Sequence, residues 1–321
     1  MNGIKTLQQA IQHFSDEQVC IDAVAAMRWP DGKPTCPSCG KKDHYYLASQ
    51  KRWKCKECWK QFSVKQGTIF EDSPIPLHKW MLAMWMLANC KNGVSSYEIH
   101  RAIAVSQKSA WFMLQRIRLA MRPILPNKLG GDGSEVETDE TVVGGKLKNM
   151  HKDRKAEFFG SGGALRNKAI VMGALDRTAR QVRAEVIPYA RRENMDAMVR
   201  KNVKFGSTVY TDNHIGYDGL RAKYSHEVIN HMEKYVEGRV HTNGIENFWS
   251  LLKRGLGGTY ISVEPFHLHR YVDEQVFRYN HRKHGDEKVS DGDRFQLLLS
   301  QIAGKRLTFA EVIGKVGETA N

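Results

Sequence analysis

Three acidic residues and one lysine occupy settings that suit chemistry on phosphodiesters. Asp139 closes the strand-like run VETD and precedes a Gly144-Gly145 turn. Asp212 stands at the C-terminal end of STVYTD, just ahead of Asn213, His214 and Gly216. Glu246 lies in HTNGIENFWSLLKRG (241–255), and Lys253 follows seven residues later. On a helix that is two turns, so the acid and the base share a face about 10 Å apart. In α/β sheets, active-site groups gather at the carboxyl ends of strands. Three clustered acids repel one another and raise their own pKa values. That cost is sensible where divalent cations sit among them, and oxygen ligands suit magnesium or manganese. Two such ions about 4 Å apart activate an attacking oxygen and stabilise the leaving one in phosphoryl transfer. Lys253 would then hold a phosphate or orient the attacking group.

Each of these residues also has neighbours that compete for its role. Glu135, Glu137 and Glu140 surround Asp139, and strand alternation sets 135, 137 and 139 on one face. Asp212 equally suits an Asx-turn that ends a strand. Asn243 precedes Glu246 by one turn, about 60° round the helix. His214 and His241 adjoin the acids, either to position water or phosphate or as hydrogen-bonded structural residues.

A second metal signal lies upstream. Cys36-Pro-Ser-Cys39 and Cys55-Lys-Glu-Cys58 are two CxxC pairs separated by fifteen residues, the spacing of a zinc ribbon. A dithiol redox motif needs only one pair, usually in a βαβ setting. Cys20 and Cys90 lack partner spacing and read as buried apolar residues.

These groups need elements to hold them. Residues 1–30 read as amphipathic helix ahead of a Trp29-Pro30-Asp31-Gly32 turn, and the ribbon fills roughly 33–72 with short strands at 44–48 and 52–55. From 77 to 122 the pattern is helical. LHKWMLAMWMLANC is a buried helix, and SSYEIHRAIA with VSQKSAWFMLQRIRLAM forms a helix pair joined by a short turn. That pair suits a helix-turn-helix whose second helix carries Gln107, Lys108 and Arg116 to DNA, although a three-helix bundle explains the apolar spacing as well. PNKLGGDGSE (126–135) is a Pro/Gly-rich joint. Beyond it, strands are expected in SEVETDETVV, KAIVMGALDR, RQVRAEVIP and STVYTDN, and helices near 190–203, 243–255 and 264–285. Three strands, a helix, a strand and more helices make a mixed α/β domain. In 243–255, Ile245, Phe248, Trp249 and Leu252 form the stripe that faces the core.

The composition narrows the partners. The 321 residues carry 49 Lys and Arg against 35 Asp and Glu, a formal charge of +14, which favours a polyanion such as DNA. Basic runs interleave with aromatic residues in KRWKCKECWK (51–60) and FRYNHRKH (277–284), and 145–168 is a basic insertion suited to a DNA-contacting loop. No apolar run reaches 18 residues and no signal-peptide core is evident, so a protein that stays inside the cell that makes it is expected, without a membrane partner.

With these residues in view, the chain resembles the DDE transposases of bacterial insertion sequences, in the subgroup with an N-terminal zinc ribbon. The resemblance rests on CPSCG with KCKEC, VETDET followed by VVGGK, VYTDNHIGY and HTNGIENFWSLLKRGLGGTY, and spans about residues 15 to 285. It implies a ribonuclease H-like catalytic domain, dependence on Mg2+ or Mn2+ beside structural Zn2+, and binding to terminal inverted repeats and target DNA. Asp139, Asp212 and Glu246 match the acidic triad and Lys253 its accompanying base, with Arg254 beside it towards DNA. Some members of the family carry asparagine at the third position, which makes Asn243 the alternative ligand or a supporting neighbour of Glu246. The resemblance also implies a cytoplasmic, nucleoid-associated protein of a bacterium. The implied layout is an N-terminal helix and ribbon (1–73), a helix-turn-helix-like DNA-binding region (74–128), the catalytic domain (129–290) and a C-terminal tail (291–321). Handling two element ends implies a homodimer or higher oligomer on DNA. The rivals are a transposase-derived DNA-binding regulator without catalysis and a ribonuclease H-like nuclease or resolvase.

Overall fold

A computed structural model describes residues 3–122, 127–131, 133–144, 168–229, 240–282 and 289–316. The basic insertion at 145–168 falls, apart from Lys168, outside the described residues. The chain divides into two compact units, Met1–Met121 with Gly285–Asn321, and Arg122–His284.

The first unit begins with α1 (Leu7–His13) and α2 (Glu17–Arg28). They replace the single helix expected over 1–30 because Asp16, accepting from the Gln18 amide, starts a new helix. The ribbon follows as an antiparallel sheet of β1 (His44–Leu47), β2 (Arg52–Cys55) and β3 (Gln61–Phe62), in the order β1-β2-β3. Its inner face buries Trp53 and Phe62 against Trp29, with ring centroids 5.3 and 6.3 Å away.

Helix α3 (Leu77–Asn89) starts after Pro76, which offers no side-chain cap. Glu17 supplies one from α2, accepting from the amides of Leu77 and His78 at 2.9 and 3.3 Å. Helix α4 (Ser96–Ile103) opens with a Ser95–Glu98 capping box and stops at Ala104, whose φ of 50° is left-handed. Helix α5 (Gln107–Met121) follows.

Residues 291–321 were expected as a tail, but they carry α9 (Asp291–Ser300) and α10 (Phe309–Val312) within this unit. Phe295, Leu298, Leu299 and Ile302 are buried at helical spacing, and Phe295 lies 5.3 Å from Phe14 and 5.5 Å from Trp85. An apolar stripe of that kind has to be covered, which is why the segment folds back.

The second unit is a five-stranded sheet: β4 (Glu135–Gly144), β5 (Lys168–Asp176), β6 (Gln181–Ile187), β7 (Thr208–Asp212) and β8 (Ser225–Ile229). The order is β6-β5-β4-β7-β8. The first three strands are antiparallel neighbours, and β4-β7-β8 run parallel. Strand β8 was not anticipated from the sequence.

Alternation sorts the faces. Val136, Ile170, Met172, Ala174 and Val209 pack under α6 (Arg192–Asn202) through Met195, Met198 and Val199. On the other face Val171, Leu175 and Val182 meet α7 (Asn243–Arg254) and α8 (Leu268–Asn280). Strands β4, β5 and β6 therefore present apolar residues to both sides, as a sheet covered on both faces requires. A π-helical turn, Gly255–Thr259, follows α7.

Candidate active site

The sheet register brings two of the expected acids together. Strands β4 and β7 pair Glu135 with Thr208, Val136 with Val209 and Glu137 with Tyr210, and two further steps set Asp139 beside Asp212. Side chains at odd positions of β4 face α7, so Asp139 points to the helix that carries Glu246. Burial pushes the Asp139 carboxyl up to about 7, helped by the negative charges of Glu140 and Asp212. The Asp212 Oδ1 atom is buried without a hydrogen-bond partner among the described residues. Burial also raises Glu140, on the opposite face of β4, where it accepts from the Tyr217 hydroxyl at 2.6 Å.

Trp249, not singled out in the sequence as a site residue, fixes the orientation of Asp139. Its Nε1 donates to Asp139 Oδ2 at 2.9 Å, and the indole is only 4% exposed. The approach depends on Gly173, the β5 partner of Asp139: a Cβ there would stand 2.7 Å from Trp249 Cη2 and 3.0 Å from Ile245 Cδ1. Any larger residue at 173 would lift α7 off the sheet.

Glu137 anchors the other end of α7. This carboxylate, 1% exposed, accepts from the Ile245 amide at 2.8 Å and from Arg177 Nε at 2.7 Å. A buried acid at a helix N-terminus satisfies free amides and complements the helix dipole. Arg177 also donates to the His241 carbonyl at 2.6 Å and lies over the Tyr210 ring, 4.2 Å from its centroid. Glu137 is thus occupied in holding the helix. His214 accepts from the Gly216 amide at 3.0 Å, and His241 Nδ1 lies 2.9 Å from Arg177, so both histidines have structural partners.

The remaining candidates line the exposed side of α7. Ile245, Phe248, Trp249 and Leu252 are buried, while Asn243, Glu246, Lys253 and Arg254 are exposed. Glu246 Oε1 accepts from the Thr242 hydroxyl at 2.8 Å. Among the described residues, the only group of three or more His, Cys, Asp or Glu side chains gathered to metal-holding distance is Cys36, Cys39, Cys55 and Cys58. The structure thus brings Asp139 and Asp212 together and leaves Glu246 outside a closed metal-holding group.

The four thiols lie within 4.8 Å of one another, with Sγ separations of 3.6 Å for Cys36–Cys58 and 3.5 Å for Cys39–Cys55. Burial opposes ionisation of Cys36, yet amide donors from Ser38 and Cys39 and the neighbouring thiols lower it to about 7. An all-sulfur tetrahedral donor set of this size suits structural zinc.

Of the DNA contacts expected from α5, Lys108 is exposed, with its Nζ 4.8 Å from the centroid of the Phe309 ring. Gln107 is half-buried and donates to Ser96 Oγ at 2.8 Å. Arg116 has to be corrected. It is 5% exposed, and its guanidinium donates to the carbonyls of Leu307, Ile69 and Glu71 at 2.9, 3.0 and 2.6 Å. A guanidinium consumed by three buried carbonyls is not presented to a phosphate.

Residues 128–280 match the ISXO2-like transposase domain, and residues 15–61 match the transposase zinc-ribbon domain. The chain is 28% identical over 257 residues to an uncharacterised protein in transposable element ISH50 of Halobacterium salinarum, covering 77% of this chain and 85% of that one. It is 34% identical over 96 residues to an uncharacterised transposase-like protein of Haemophilus influenzae, covering 30% of this chain and 77% of that one. The chain belongs to the insertion-sequence transposase family that joins an N-terminal zinc ribbon to an ISXO2-like transposase domain. No helix among the described residues is long and apolar enough to cross a membrane.

Proposed function

We propose that the chain is a DDE transposase that binds the terminal inverted repeats of its element, hydrolyses a phosphodiester there and joins the released 3′-hydroxyl to target DNA. The observation that carries this reading is the register that sets Asp139 beside Asp212 on the face covered by α7. Three antiparallel strands followed by two parallel ones, with helices on both faces, support a ribonuclease H-like domain.

The site fits divalent magnesium or manganese. Burial and the charges of Glu140 and Asp212 raise Asp139 to about 7, Asp212 Oδ1 is buried without a partner among the described residues, and carboxylate oxygens suit hard cations. Bound there, the ions supply Lewis-acid activation of an attacking oxygen and neutralise the leaving one. Asp139 and Asp212 would hold them, and Glu246, once released from Thr242 by rotation about its side-chain bonds, would complete the set. Trp249 keeps the Oδ2 atom of Asp139 occupied. Lys253, two turns on, and Arg254 hold the DNA backbone; Asn243 supports the ligand helix. Water attacks phosphorus and the 3′-oxygen leaves as the element's new terminus. In joining, that 3′-hydroxyl attacks a target phosphorus in line and gives up its proton as the new P–O bond forms, while the target's own P–O3′ bond breaks and its 3′-oxygen leaves with a proton. The substrate is double-stranded DNA, and pairing of two element ends calls for a homodimer or larger assembly.

The test is magnesium-dependent cleavage and joining of a labelled element-end duplex by wild type, Asp139→Asn, Asp212→Asn, Glu246→Gln and Asn243→Ala. Each carboxylate variant should lose at least about a thousandfold in cleavage while still binding DNA, since metal-borne charge stabilisation is worth several kcal/mol. Full activity in Glu246→Gln with none in Asn243→Ala would move the third ligand to Asn243. Cleavage without joining would turn the reading to a nuclease or resolvase, and specific binding without cleavage to a regulator.

A further inference from the structure

The zinc ribbon carries two knuckles of matching geometry and unequal sequence. In Cys36-Pro-Ser-Cys39-Gly40 the Cys36 amide donates to the Lys41 carbonyl at 2.9 Å; in Cys55-Lys-Glu-Cys58-Trp59 the Cys55 amide donates to the Lys60 carbonyl at 3.0 Å. Both turns need a left-handed residue after the second cysteine, Gly40 at φ 73° and Trp59 at φ 59°. Glycine adopts that conformation freely, whereas a bulky aromatic does so at a cost. Packing does not compensate for it, because Trp59 is 62% exposed. The fold therefore asks for glycine at 59 and the chain supplies an indole facing solvent.

The surroundings of Trp59 point the same way. Tyr45 on β1 pairs with Lys54 on β2, so the two share the outer face of the sheet, opposite Trp53 and Phe62. Tyr45 is 50% exposed. The Lys54 Nζ lies 5.1 Å from the Trp59 ring centroid and the Lys56 Nζ 4.9 Å from that of Tyr45. Lys56 also pairs with Asp43 at 2.7 Å, which steadies its position. From 33 to 62 the ribbon has eight Lys or Arg and two acids, Asp43 and Glu57. Two open rings flanked by amines on a basic surface form a stacking platform for nucleobases. Base faces are open in single-stranded DNA and covered by neighbouring pairs in a duplex.

We propose that the outer face of the ribbon, built on Tyr45, Lys54, Lys56 and Trp59, binds single-stranded DNA by stacking unpaired bases on the two rings. This rests on the reading of the chain as a DNA-acting transposase, and assigns the ribbon to unpaired nucleotides and not to the duplex.

The conservative variant is Trp59→Gly, which copies the Gly40 knuckle. Full-length, zinc-loaded wild type, Trp59→Gly and Tyr45→Ala are titrated by fluorescence anisotropy into labelled oligothymidylate of about 15 nucleotides, its abasic counterpart and a duplex of equal length. Zinc content and thermal unfolding are recorded for each, and Trp59→Gly should match or exceed wild type in both. Its affinity for oligothymidylate should fall about 5- to 150-fold, the range of one to a few stacked bases, with abasic and duplex affinities changed less than about twofold. Equal wild-type affinity for thymidylate and abasic strands would overturn the proposal, as would a parallel loss on the duplex, which marks a phosphate contact. Element-end cleavage is assayed on the same preparations. Intact cleavage with no thymidylate preference refutes the ribbon assignment alone; intact preference with no cleavage refutes the transposase reading alone.

Discussion

The thiol cluster and the proposed carboxylate site are assembled differently. Cys36, Cys39, Cys55 and Cys58 come from two tight turns of one small sheet, and their sulfurs already lie within 4.8 Å. Asp139, Asp212 and Glu246 come from β4, β7 and α7, and Glu246 is bonded to Thr242. Neutral thiols tolerate close packing before metal arrives, whereas carboxylates repel. A site meant to be filled permanently can be closed by local geometry. The proposed carboxylate site is left part-open, with Asp139 on the Trp249 indole and Glu246 on the Thr242 hydroxyl.

That contrast fails most visibly if zinc is dispensable. Chelation, or Cys36→Ser with Cys55→Ser, should unfold the ribbon, since structural zinc contributes about 10–16 kcal/mol to such modules. Limited proteolysis should then cut within 33–62 while β4–β8 stay protected; uniform resistance would sink the idea. Next in size is Arg116. Arg116→Met leaves three buried carbonyls unpaired and should cost about 3 kcal/mol or more, lowering the melting midpoint without changing the salt dependence of DNA binding. A reduced salt slope would instead restore Arg116 to the DNA surface.

On the carboxylate side, Trp249→Phe removes a hydrogen bond to a charged acceptor worth about 1.5–3 kcal/mol, so cleavage at limiting magnesium should drop about 10- to 100-fold. That bond lowers the Asp139 pKa, so its loss should move the acidic limb of the cleavage pH profile upward. An unmoved limb would make Trp249 mere packing. Gly173→Ala, which displaces the indole, should act in the same direction. The last expected effect is on stability. Asp139 titrates near 7 in the fold and near 3.8 when unfolded, so between those values the folded state holds the extra proton and stability falls as pH rises. Asp139→Asn should therefore be the more stable protein above pH 7, by a margin that vanishes towards pH 4 and shrinks with added magnesium; a pH-independent difference would contradict this.

Much of this was legible in the chain. The cysteine spacing, the apolar stripe of 243–255 and the runs that became β4–β7 are local patterns, and local patterns survive into the fold. Strand β8 was missed because it is five residues long and half exposed, with little alternation to announce it. Arg116 was misread because its charge outweighed its place next to Met113, Ile117 and Ala120, all buried. The stripe Phe295, Leu298, Leu299 and Ile302 was visible in the supposed tail. The Trp249–Asp139 bond could not be read, since it joins residues 110 apart through a register only the sheet defines.

The bonds of Arg116 also set a clock. Its acceptor Leu307 lies 191 residues downstream, across the whole of the second unit. At a translation rate of about 5–20 residues per second, the ribosome needs about 10–40 s to reach the partner. During that interval the sheet with Asp139 and Asp212 is already complete in the emerging chain, while the bundle holding the ribbon still waits for its last two helices. The unit started first is the one finished last.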